Sequence, residues 1–548
     1  MVQPTHAEFS LGQTPINILA LEAAAATYPD QAAANLLTNG FRFGFLLRYS
    51  GPRVFSNCKN LLSIKGNEKL AYEIISKEIK LGRVAGPFTS RPLHTLRVSP
   101  IGLIPKKDGH WRLIHHLSYP EGKSVNDYID ENVCSVHYTS FDKVVDMVSK
   151  LGQGALLSKM DVKSAFRLLP IHPSDFELLG FKLEGCYYFD KCLPFGCAIS
   201  CALFEKFSTF LEWLVIQRSG QDNVCHYLDD FLFGGKAECN SCIHIMETFQ
   251  SCCLELGVPL AADKTVLPTP ILTFLGLQLD TIDMMIKIPP NKLYDLETKL
   301  SQMLIRKKTT LKELQSLVGS LNFCARAIPS SRAFNRRFYD AMSGISQPHH
   351  FIRITLALKE DIKVWLAFLH DFNGHCYFPD IQWMSNEKLQ LFSDSAGGSS
   401  LGCAAYFAPH WAYASWPSSW KGTSSLRDVS FLELVPIVLA FHIWGRFWEN
   451  RKIVLNTDNH GLVYILNKKS SKSLRVMALL RPLVLLLMQY NIQIQAVHIL
   501  GCKNTITDSL SRHQWARFRR LAPEADAEPA VVPELLLRLL STVKPSDC

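Results

Sequence analysis

Hydrophobic positions follow two different periods over the first part of the chain. At residues 67–81 they recur every three or four positions, which predicts an amphipathic helix. At 101–114 two short apolar runs flank Lys107-Asp-Gly, which predicts a β-hairpin. Residues 20–34 are rich in alanine and are predicted to be partly helical, although Pro29 interrupts them and Gly40-Phe-Arg-Phe-Gly-Phe breaks the pattern. Residues 1–60 are therefore expected to form an extension packed on a mixed domain of helices and strands.

The middle of the chain is dominated by helical spacing. Residues 293–304 and 311–323 are predicted to form two helices joined by the basic linker Arg306-Lys-Lys. Cations and aromatic rings interleave just after them: Arg326, Arg332, Phe334, Arg336, Arg337 and Phe338. Basic groups among aromatic rings suit a surface that tracks a nucleic-acid backbone. An ordinary solvated helix face has the same composition, so this segment alone leaves both interpretations open.

A third pattern begins near residue 386. Residues 389–393, 401–407 and 411–416 are predicted to form a three-strand meander, followed by an apolar helix at 431–448. Further strands are predicted at 453–455 and 492–498, with helices between them and a short helix near Asp508. After residue 515, prolines and acidic residues indicate a tail that is loosely ordered at first, and a short helix at 535–540 is predicted to close it.

The composition is that of a folded protein with several domains. The chain has 548 residues, of which 47% are hydrophobic and 20% charged, so it is too long for one core and too apolar for disorder. A net charge of +9 fits an anionic partner such as nucleic acid, although many proteins carry such an excess by chance. No secretory signal is evident, so the 16 cysteines are expected to be reduced inside the cell.

Two further sequence features argue against other classes of protein. The pair Cys239 and Cys242 has no second pair at zinc-ribbon spacing, so thiols on a surface helix are favoured over a metal site. The apolar run at 483–488 falls far short of the roughly 20 residues that span a bilayer, so no membrane partner is expected.

Adjacent carboxylates lie between two apolar runs at residues 224–233. Asp229 and Asp230 are predicted to occupy a tight turn between two strands, and Asp161 ends another predicted strand at 156–161. Like charges beside buried strands are unfavourable unless cations compensate them, and converging carboxylate oxygens suit Mg²⁺. A lone Asp-Asp turn is more often simply solvated, so the neighbouring residues must decide between the two interpretations.

Four more acids stand out after residue 386. Asp394 is predicted to end the first strand of the meander, Glu433 to lie in the first turn of the apolar helix, Asp458 to follow the strand at 453–455, and Asp508 to lie in a short helix. A meander, a helix and a strand would bring the first three to one sheet edge. Four carboxylates from separate elements can bind two metal ions that cleave a phosphodiester. Each acid also has an ordinary explanation as a capping-box or turn residue.

Six motifs in order resemble those of reverse transcriptases. They are Lys106-Lys-Asp-Gly-His-Trp-Arg112, Asp161-Val-Lys-Ser-Ala-Phe166, Leu193-Pro-Phe-Gly196 followed by Ser200 and Phe204, Tyr227-Leu-Asp-Asp230, Lys264, and Phe274-Leu-Gly276. The resemblance implies an RNA-directed DNA polymerase with an α+β right-hand fold of fingers, palm and thumb. It also implies two Mg²⁺ ions in the active site, with Mn²⁺ as an alternative, and deoxynucleotides, an RNA template and a DNA primer as partners.

Roles for individual residues follow from the resemblance. Asp161 and Asp229 would bind both metal ions with support from Asp230, and Lys264 would protonate the pyrophosphate. The nucleotide would contact residues of the fingers hairpin and the palm: Lys106 or Lys107 and Arg112 at the triphosphate, Phe166 as the wall that excludes a 2′-hydroxyl, and Gly196 at a close backbone approach. Tyr227, Phe274 and Gly276 would contact primer and template. Phe195 departs from the glutamine of some retroviral enzymes and is similar to the gypsy-type pattern.

The later acids resemble those of ribonuclease H. The order Asp394, Glu433, Asp458, Asp508, with His498 before the last acid, is similar to that family, as is the run from His498 to Arg512. The resemblance implies an α/β ribonuclease H-like domain that cleaves RNA in RNA–DNA hybrids with two metal ions. His498 would be mobile and would assist proton transfer or product release, which suits an imidazole that titrates near neutrality.

The whole layout resembles the polymerase–ribonuclease H protein of DIRS-type, tyrosine-recombinase retrotransposons, with gypsy-type elements as the alternative. The supporting flanks are residues 40–45, Gly51-Pro-Arg53 and residues 514–524. The implied divisions are an extension at 1–60, fingers and palm at 61–290, thumb and connection at 291–385, the ribonuclease H-like domain at 386–515 and a tail at 516–548. The element's life cycle implies the cytoplasm or nucleus, and the oligomeric state stays open.

Three rival interpretations accompany this one. The first, a general host protein with an accidental Asp-Asp turn, is opposed by the ordered set of motifs. A non-catalytic nucleic-acid-binding protein derived from such an element would share the fold, although the presence of all the expected metal-binding acids argues against it. Alternatively, only one of the two active sites works.

Overall fold

The computed structural model describes residues 6–106, 109–328, 331–371, 373, 376–378, 382–501 and 504–542. The chain divides into two compact units, an amino-terminal unit of Met1–Leu272 and a carboxy-terminal unit of Thr273–Cys548. The finer division into five segments stays a prediction.

The amino-terminal unit mixes helices and strands. Its helices are α1 (Ile18–Ala25), α2 (Gln31–Phe43), α3 (Glu68–Lys80), α4 (Glu131–Cys134), α5 (Phe141–Leu151), α6 (Ser200–Ser219) and α7 (Ser241–Leu256). Its strands are β1 (Ser56–Asn57), β2 (Val84–Phe88), β3 (Arg97–Val98), β4 (Ile101–Pro105), β5 (Trp111–His115), β6 (Leu156–Asp161), β7 (Gly180–Leu183), β8 (Cys186–Asp190), β9 (Val224–Tyr227), β10 (Asp230–Gly235) and β11 (Val266–Thr269). The predicted helix at 67–81 and hairpin at 101–114 are confirmed as α3 and the β4–β5 pair.

The predicted acids of this unit lie on a sheet with the strand order β11-β6-β10-β9. Helix α6 packs on β9, and α7 packs on β6 and β10. The phenylalanines of β10 are fully buried, with rings 4.5 and 5.1 Å from that of Phe249 in α7. An apolar run buried on both faces explains why β10 reads as continuous hydrophobic sequence rather than as an alternating pattern. Two other sheets of the unit have the orders β1-β3-β7-β8-β2 and β4-β5.

The amino-terminal segment is part of the same hydrophobic core. Leu21, Leu37 and Phe41 are fully buried in it, and the Phe41 ring lies 5.1 Å from that of Phe207. The predicted break at residues 40–45 is wrong in position, because α2 continues to Phe43. The helix ends at Gly44, whose φ of +97° suits glycine and where a Cβ would lie 2.4 Å from the backbone of His172.

The carboxy-terminal unit follows a different plan. Its strands are β12 (Ile271–Phe274, which begins at the end of the first unit), β13 (Leu277–Asp280), β14 (Met285–Lys287), β15 (Lys308–Thr310), β16 (Phe351–Arg353), β17 (Cys376–Tyr377), β18 (Trp383–Met384), β19 (Leu391–Ser395), β20 (Gly402–Phe407), β21 (His410–Ser415), β22 (Lys452–Thr457) and β23 (Gln493–His498). Its helices are α8 (Pro290–Ile305), α9 (Leu311–Cys324), α10 (Arg336–Met342), α11 (Leu356–Asp371), α12 (Asn386–Leu389), α13 (Val429–Trp444), α14 (His460–Lys468), α15 (Leu474–Gln489), α16 (Thr505–Ser511), α17 (Trp515–Leu521) and α18 (Glu534–Thr542).

The predicted meander is confirmed as β19-β20-β21, and β22 and β23 pair in parallel beside β18. Helix α13 is apolar all round because it is buried along most of its length. Among the described residues, Val429–Trp448 is the one segment long and apolar enough to cross a bilayer, and most of it is buried inside the protein.

The structure corrects one prediction for this unit and decides between two interpretations that the sequence left open. The basic linker Arg306-Lys-Lys is not a simple connection, because Lys308 starts strand β15. The cation-and-aromatic segment at 326–338 does not present its rings, since Phe334 and Phe338 are buried. Arg336 and Arg337 of the same segment form ion pairs with Asp340 and Asp361 at 2.6 and 2.9 Å.

The tail is more ordered than its composition predicts. Helix α17 follows directly after residue 514, and Phe518 is buried with Tyr406 and Trp411 of the meander in one hydrophobic cluster. The Trp411 indole donates to the carbonyl of Asp526 at 2.8 Å. The prolines therefore separate short packed segments instead of marking a loose end.

Two candidate active sites

A tight turn brings three predicted acids together in the amino-terminal unit. Strand β10 pairs with β6 so that Asp230 lies opposite Asp161, and it pairs with β9 so that Asp230 also lies opposite Tyr227. Leu228, with φ +53°, completes the turn, and the carbonyl of Asp229 accepts the Val162 N–H at 2.9 Å. The backbone thus holds Asp161, Asp229 and Asp230 at one end of the sheet, as predicted.

The three acids at this turn form a site that we call the palm site, after the predicted subdomain, and they repel one another. Burial, and then the neighbouring charge of Asp161, raise the pKa of Asp229 to about 6. Burial also raises the pKa of Asp230, against the opposing field of Lys159. Lys264 donates to Asp161 Oδ2 at 2.8 Å; burial lowers the pKa of this lysine, but the carboxylates outweigh burial and raise it. The site carries more negative charge than its own lysines neutralise.

The donor chemistry of the palm site fits a divalent cation. Among the described residues, no three or more His, Cys, Asp or Glu side chains form a ready-made metal-binding group. Three neighbouring carboxylates nevertheless offer the hard oxygen ligands that Mg²⁺ takes, and a cation would relieve the repulsion that raises the pKa of Asp229 and of Asp230. Lys264 lies where it supplies part of that positive charge.

A cleft beside the β4–β5 hairpin, the predicted fingers hairpin, is lined by residues that are predicted to bind the nucleotide. It encloses about 650 Å³, and its lining includes Lys106, Arg112, Phe195 and Gly196. The Arg112 guanidinium lies 4.5 Å from the centre of the Phe195 ring. Phe195, which stands where some retroviral enzymes have glutamine, therefore supports Arg112, the residue predicted to bind the triphosphate. Lys107 lies outside the described residues.

Phe166 stands beside the same aromatic group, with its ring 5.4 Å from that of Phe195 and 5.7 Å from that of Phe204. It is half-buried, so one side packs on the core while the rest remains accessible. Its placement suits the predicted wall beneath the sugar.

Gly196 is required for a reason that the sequence did not reveal. Its φ is +114°, and a Cβ would lie 2.1 Å from the carbonyl oxygen of His115 in strand β5. The glycine therefore allows two segments of the protein backbone to meet, beyond the predicted approach to a nucleotide.

The three residues that are predicted to contact primer and template differ in their surroundings. The Tyr227 ring packs 4.8 Å from that of Tyr138 and is half-buried beside the turn. Phe274 is fully buried, so it acts in the core of its unit rather than as a surface contact. Gly276 has φ +79°, and its carbonyl accepts from Lys292 at 3.2 Å.

Sequence reasoning missed a buried charge cluster directly behind the turn. His226 Nδ1 bonds to Glu212 and its Nε2 lies 3.2 Å from Glu205, so the imidazole lies between two carboxylates of helix α6. Burial lowers the pKa of His226, but the two glutamates outweigh it and raise the pKa to about 9. The protonated ring fastens strand β9 to α6. A lone histidine in an apolar strand was the signal available in the sequence.

Replacing His226 with alanine is expected to lower the free energy of unfolding by about 3 kcal/mol. The change leaves Glu205 and Glu212 buried without their shared cation, and breaking a buried ion pair from one side is costly. Urea unfolding followed by circular dichroism measures the loss. His244→Ala, at an exposed residue, is the control. Equal stability of both variants would contradict the stabilising role of His226 between Glu205 and Glu212.

The carboxy-terminal unit brings the later acids close enough to affect one another. Asp394 lies inside β19 instead of ending it, Glu433 lies in the second turn of α13, and Asp458 follows β22. Asp428 caps α13, accepting from the Phe431 N–H at 3.1 Å, so the capping-box explanation for Glu433 is wrong. Glu433 instead accepts from Ser395 Oγ at 2.8 Å.

These acids form a second electronegative site. Burial raises the pKa of Asp394 to about 7, with further increases from the charges of Asp508 and Asp458. Burial, and then the charge of Asp394, raise the pKa of Glu433 to about 8. Ser511, which sequence reasoning missed, donates to Asp394 Oδ2 at 2.5 Å and ties helix α16 to the first strand. The donor set fits divalent cations for the same reason as in the palm.

Asp508 and His498 border this second site. Asp508 is bound by Arg512 at 2.6 Å and by Arg517 at 3.1 Å, which offset its charge. His498 donates from Nε2 to the carbonyl of Asp458 at 3.1 Å, and its ring stacks 3.6 Å from that of His460. The imidazole thus has defined partners beside the acids, whereas the resemblance implied a mobile side chain.

Comparison with known protein families gives a match for the segment that contains Asp161, Asp229 and Asp230. Residues 104–279 match the family described as reverse transcriptase (RNA-dependent DNA polymerase). All six motifs lie within this matched segment, and the amino-terminal unit that holds most of it has a mixed α+β fold.

Individual relatives come from retroviruses and a transposon. The chain is 26% identical over 322 residues to the Gag-Pro-Pol polyprotein of Mason-Pfizer monkey virus, covering 56% of this chain and 16% of the polyprotein. It is 22% identical over 178 residues to the transposon Tf2-3 polyprotein of Schizosaccharomyces pombe, covering 32% of this chain and 12% of that one. The chain thus matches only a small part of each relative's length.

A solved structure shares the fold. The foamy viral protease-reverse transcriptase in complex with double-stranded DNA has a TM-score of 0.51 and 17% identity, covering 82% of this chain and 72% of that chain. At this identity the likeness concerns the fold alone. Ribonuclease H activity and the DIRS-type origin stay predictions.

Proposed function

We propose that the chain is an RNA-directed DNA polymerase that extends a DNA primer with deoxynucleotides on an RNA template. The observation that carries the proposal is the turn that holds Asp229 and Asp230 opposite Asp161, inside a domain of the reverse transcriptase class. The foamy viral relative is described in complex with double-stranded DNA, which supports a nucleic-acid substrate.

The residues of the palm and the fingers hairpin have distinct tasks in this reaction. Asp161, Asp229 and Asp230 would hold Mg²⁺, which supplies activation of the primer 3′-hydroxyl and stabilisation of the departing pyrophosphate. Arg112, supported by Phe195, binds the triphosphate by charge-assisted hydrogen bonds, together with Lys106. Lys264, already protonated and bonded to Asp161, is placed to give a proton to the leaving group.

Primer extension by the full chain tests the polymerase. A labelled DNA primer on an RNA template should lengthen with deoxynucleotides and Mg²⁺, and should remain unchanged with EDTA or without template. Ribonucleotides should be used far less well, because Phe166 occupies the space beside the sugar. Intact binding of primer–template without any extension would reject the proposal in favour of a non-catalytic binding protein.

We further infer that the carboxy-terminal unit is a ribonuclease H that cleaves RNA in RNA–DNA hybrids. The charges of Asp458 and Asp508 raise the pKa of Asp394, and those of Asp394 and Asp458 raise the pKa of Glu433. Four acids from separate elements therefore lie around one site, which favours this second activity. His498 lies beside them, bound to the Asp458 backbone, where it can take part in proton transfer. Labelled RNA should be cut within an RNA–DNA hybrid and spared in duplex RNA.

From the raised pKa values of the nuclease acids, we expect magnesium to stabilise the folded protein to an extent that depends on pH. The folded-state pKa values of Asp394 and Glu433, about 7 and about 8, exceed the ordinary 3.8 and 4.5. Without metal, the folded protein therefore binds more protons than the unfolded chain, and stability falls as pH rises from about 4 to 8. Magnesium replaces those protons, so its stabilising effect should be larger at pH 8 than at pH 5.

Scanning calorimetry with magnesium or EDTA measures this difference. We expect the Tm gained with magnesium to be about 2 °C or more larger at pH 8 than at pH 5. Glu433→Gln should reduce the difference between the Tm gained with magnesium at pH 8 and at pH 5. Keeping the ionic strength equal in all samples removes general effects of salt. An equal gain at both pH values would argue against a metal site at these acids.

The proposed source is a retrotransposon of the DIRS type, acting in the cytoplasm or nucleus. Support comes from the sequence resemblance of the flanks, and the structure gives those flanks a role in packing. Phe41 is buried in the core, and Arg53 pairs with Asp175 and Glu177 at 2.6 and 2.7 Å. Isolation of the protein from its source cells, with sequencing of the nucleic acid bound to it, would test this origin.

A further inference from the structure

A small two-stranded sheet in the carboxy-terminal unit presents one charged and aromatic side. Strands β15 and β16 pair so that Lys308 lies opposite Arg353 and Thr310 opposite Phe351. Thr309 and Ile352 point into the unit and are buried, whereas Lys308, Phe351 and Arg353 are exposed. This alternation defines an outer side, which we call the Lys308 face, made of Lys308, Phe351 and Arg353.

The Lys308 face has uncompensated positive charge. Lys307 and Lys312 flank it and are also exposed. Within the described ranges, no carboxylate forms an ion pair with Lys307, Lys308, Lys312 or Arg353. The adjacent acid, Glu313, is already engaged, since it accepts from the backbone N–H and side chain of Thr310 and pairs with Arg306 at 3.2 Å.

A large aromatic ring lies among these cations. Phe351 is 62% exposed, and leaving so much apolar area in water is unfavourable without a partner. The Lys308 ammonium lies 4.2 Å from the ring centre, so cation and ring form one continuous surface. Phe334 and Phe338, the rings that the sequence offered as one candidate for such a surface, are buried, whereas Phe351 is exposed.

We propose that the Lys308 face binds single-stranded nucleic acid, with phosphates on Lys308, Arg353 and Lys312 and an unpaired base stacked on Phe351. Positive charge complements the phosphates, and an exposed ring between cations offers a stacking platform for any base. A duplex hides its base faces, so the ring favours an unpaired strand. The proposal rests on the proposed polymerase function for its expected ligand, a single-stranded template, but binding to this face requires no catalysis.

Fluorescence anisotropy with the full chain and a labelled oligouridylate tests the face. Phe351→Ala should weaken binding by about tenfold through the lost stacking. The double variant Lys308→Glu/Arg353→Glu should weaken it further and make log affinity less dependent on log salt, by about 0.7 for each phosphate contact removed. The controls are Phe447→Ala, at a ring that is 70% exposed, and the exposed Lys388→Glu, and both should bind like the unmodified protein.

Other results would overturn the proposal. Unchanged oligouridylate affinity in both test variants, with unchanged melting curves, would show that the face serves a protein or another partner. An equal loss for a blunt RNA–DNA hybrid in Phe351→Ala would show that the ring does not select unpaired bases. Because binding is measured without nucleotides, a failure of primer extension leaves this result unaffected, and the two proposals can fail separately.

Discussion

Asp229→Asn should reduce deoxynucleotide incorporation by about three orders of magnitude while hybrid cleavage continues. The substitution keeps the shape of the turn but removes a carboxylate of the palm site, and the charge stabilisation that metal ions provide is worth several kcal/mol. The pKa of Asp229, raised to about 6, shows that its ionised form is unfavourable when metal is absent. The variant should therefore be at least as stable as the unmodified protein near neutral pH.

If Asp229→Asn loses activity but keeps its stability, the loss comes from the active site and not from unfolding. Single-turnover primer extension gives the rate, and calorimetry in EDTA gives the Tm. Asp222→Asn, at an exposed aspartate just before the same hairpin, is the matched control and should retain full activity. Substantial extension by Asp229→Asn would remove this carboxylate from the proposed machinery.

Asp394→Asn should produce the opposite pattern, with RNA cleavage reduced by about a thousandfold and primer extension unchanged. Asp394 is buried, accepts from Ser511 and raises the pKa of Glu433, so it lies at the centre of the proposed nuclease site. Removing its charge removes a ligand oxygen from a two-metal hydrolytic site. The asparagine can still accept from Ser511, so the local packing should persist.

The control for this variant is Glu449→Gln, at an exposed residue of the same unit. Cleavage of a labelled hybrid and extension on an RNA template should be measured on the same preparation. Loss of both activities in Asp394→Asn would point to a structural defect, and loss of neither would contradict the nuclease assignment. Together the two substitutions test whether one chain carries two independent centres.

The sequence predicted the features that depend on neighbouring residues. Local periodicity located the β4–β5 hairpin, the meander and the helices α8 and α9. The predicted turn of Asp229 and Asp230 followed from two apolar runs that flank adjacent acids. In each case the residues that determine the structure lie within a few positions of one another.

Features that depend on distant partners were missed or misplaced. His226 finds its glutamates on a helix that precedes it in the chain, and Gly196 is constrained by the carbonyl of His115. Phe334 is buried and Phe351 is exposed, and nothing in the residues next to either one distinguishes the two environments. The tail seemed polar and rich in proline, yet its few apolar residues pack on a surface that only the folded meander creates.

The position of the amino-terminal segment has a consequence for synthesis on the ribosome. Its residues pack against strands and helices made much later: Thr14 donates to the carbonyl of Leu168, 154 residues away, and Leu21 shares a core with Val258. At about 5–20 residues per second, tens of seconds pass before that core can close. During this interval the apolar side chains of α1 and α2 have no partners. The nascent chain should therefore depend on chaperones that shield its first helices until the palm has emerged.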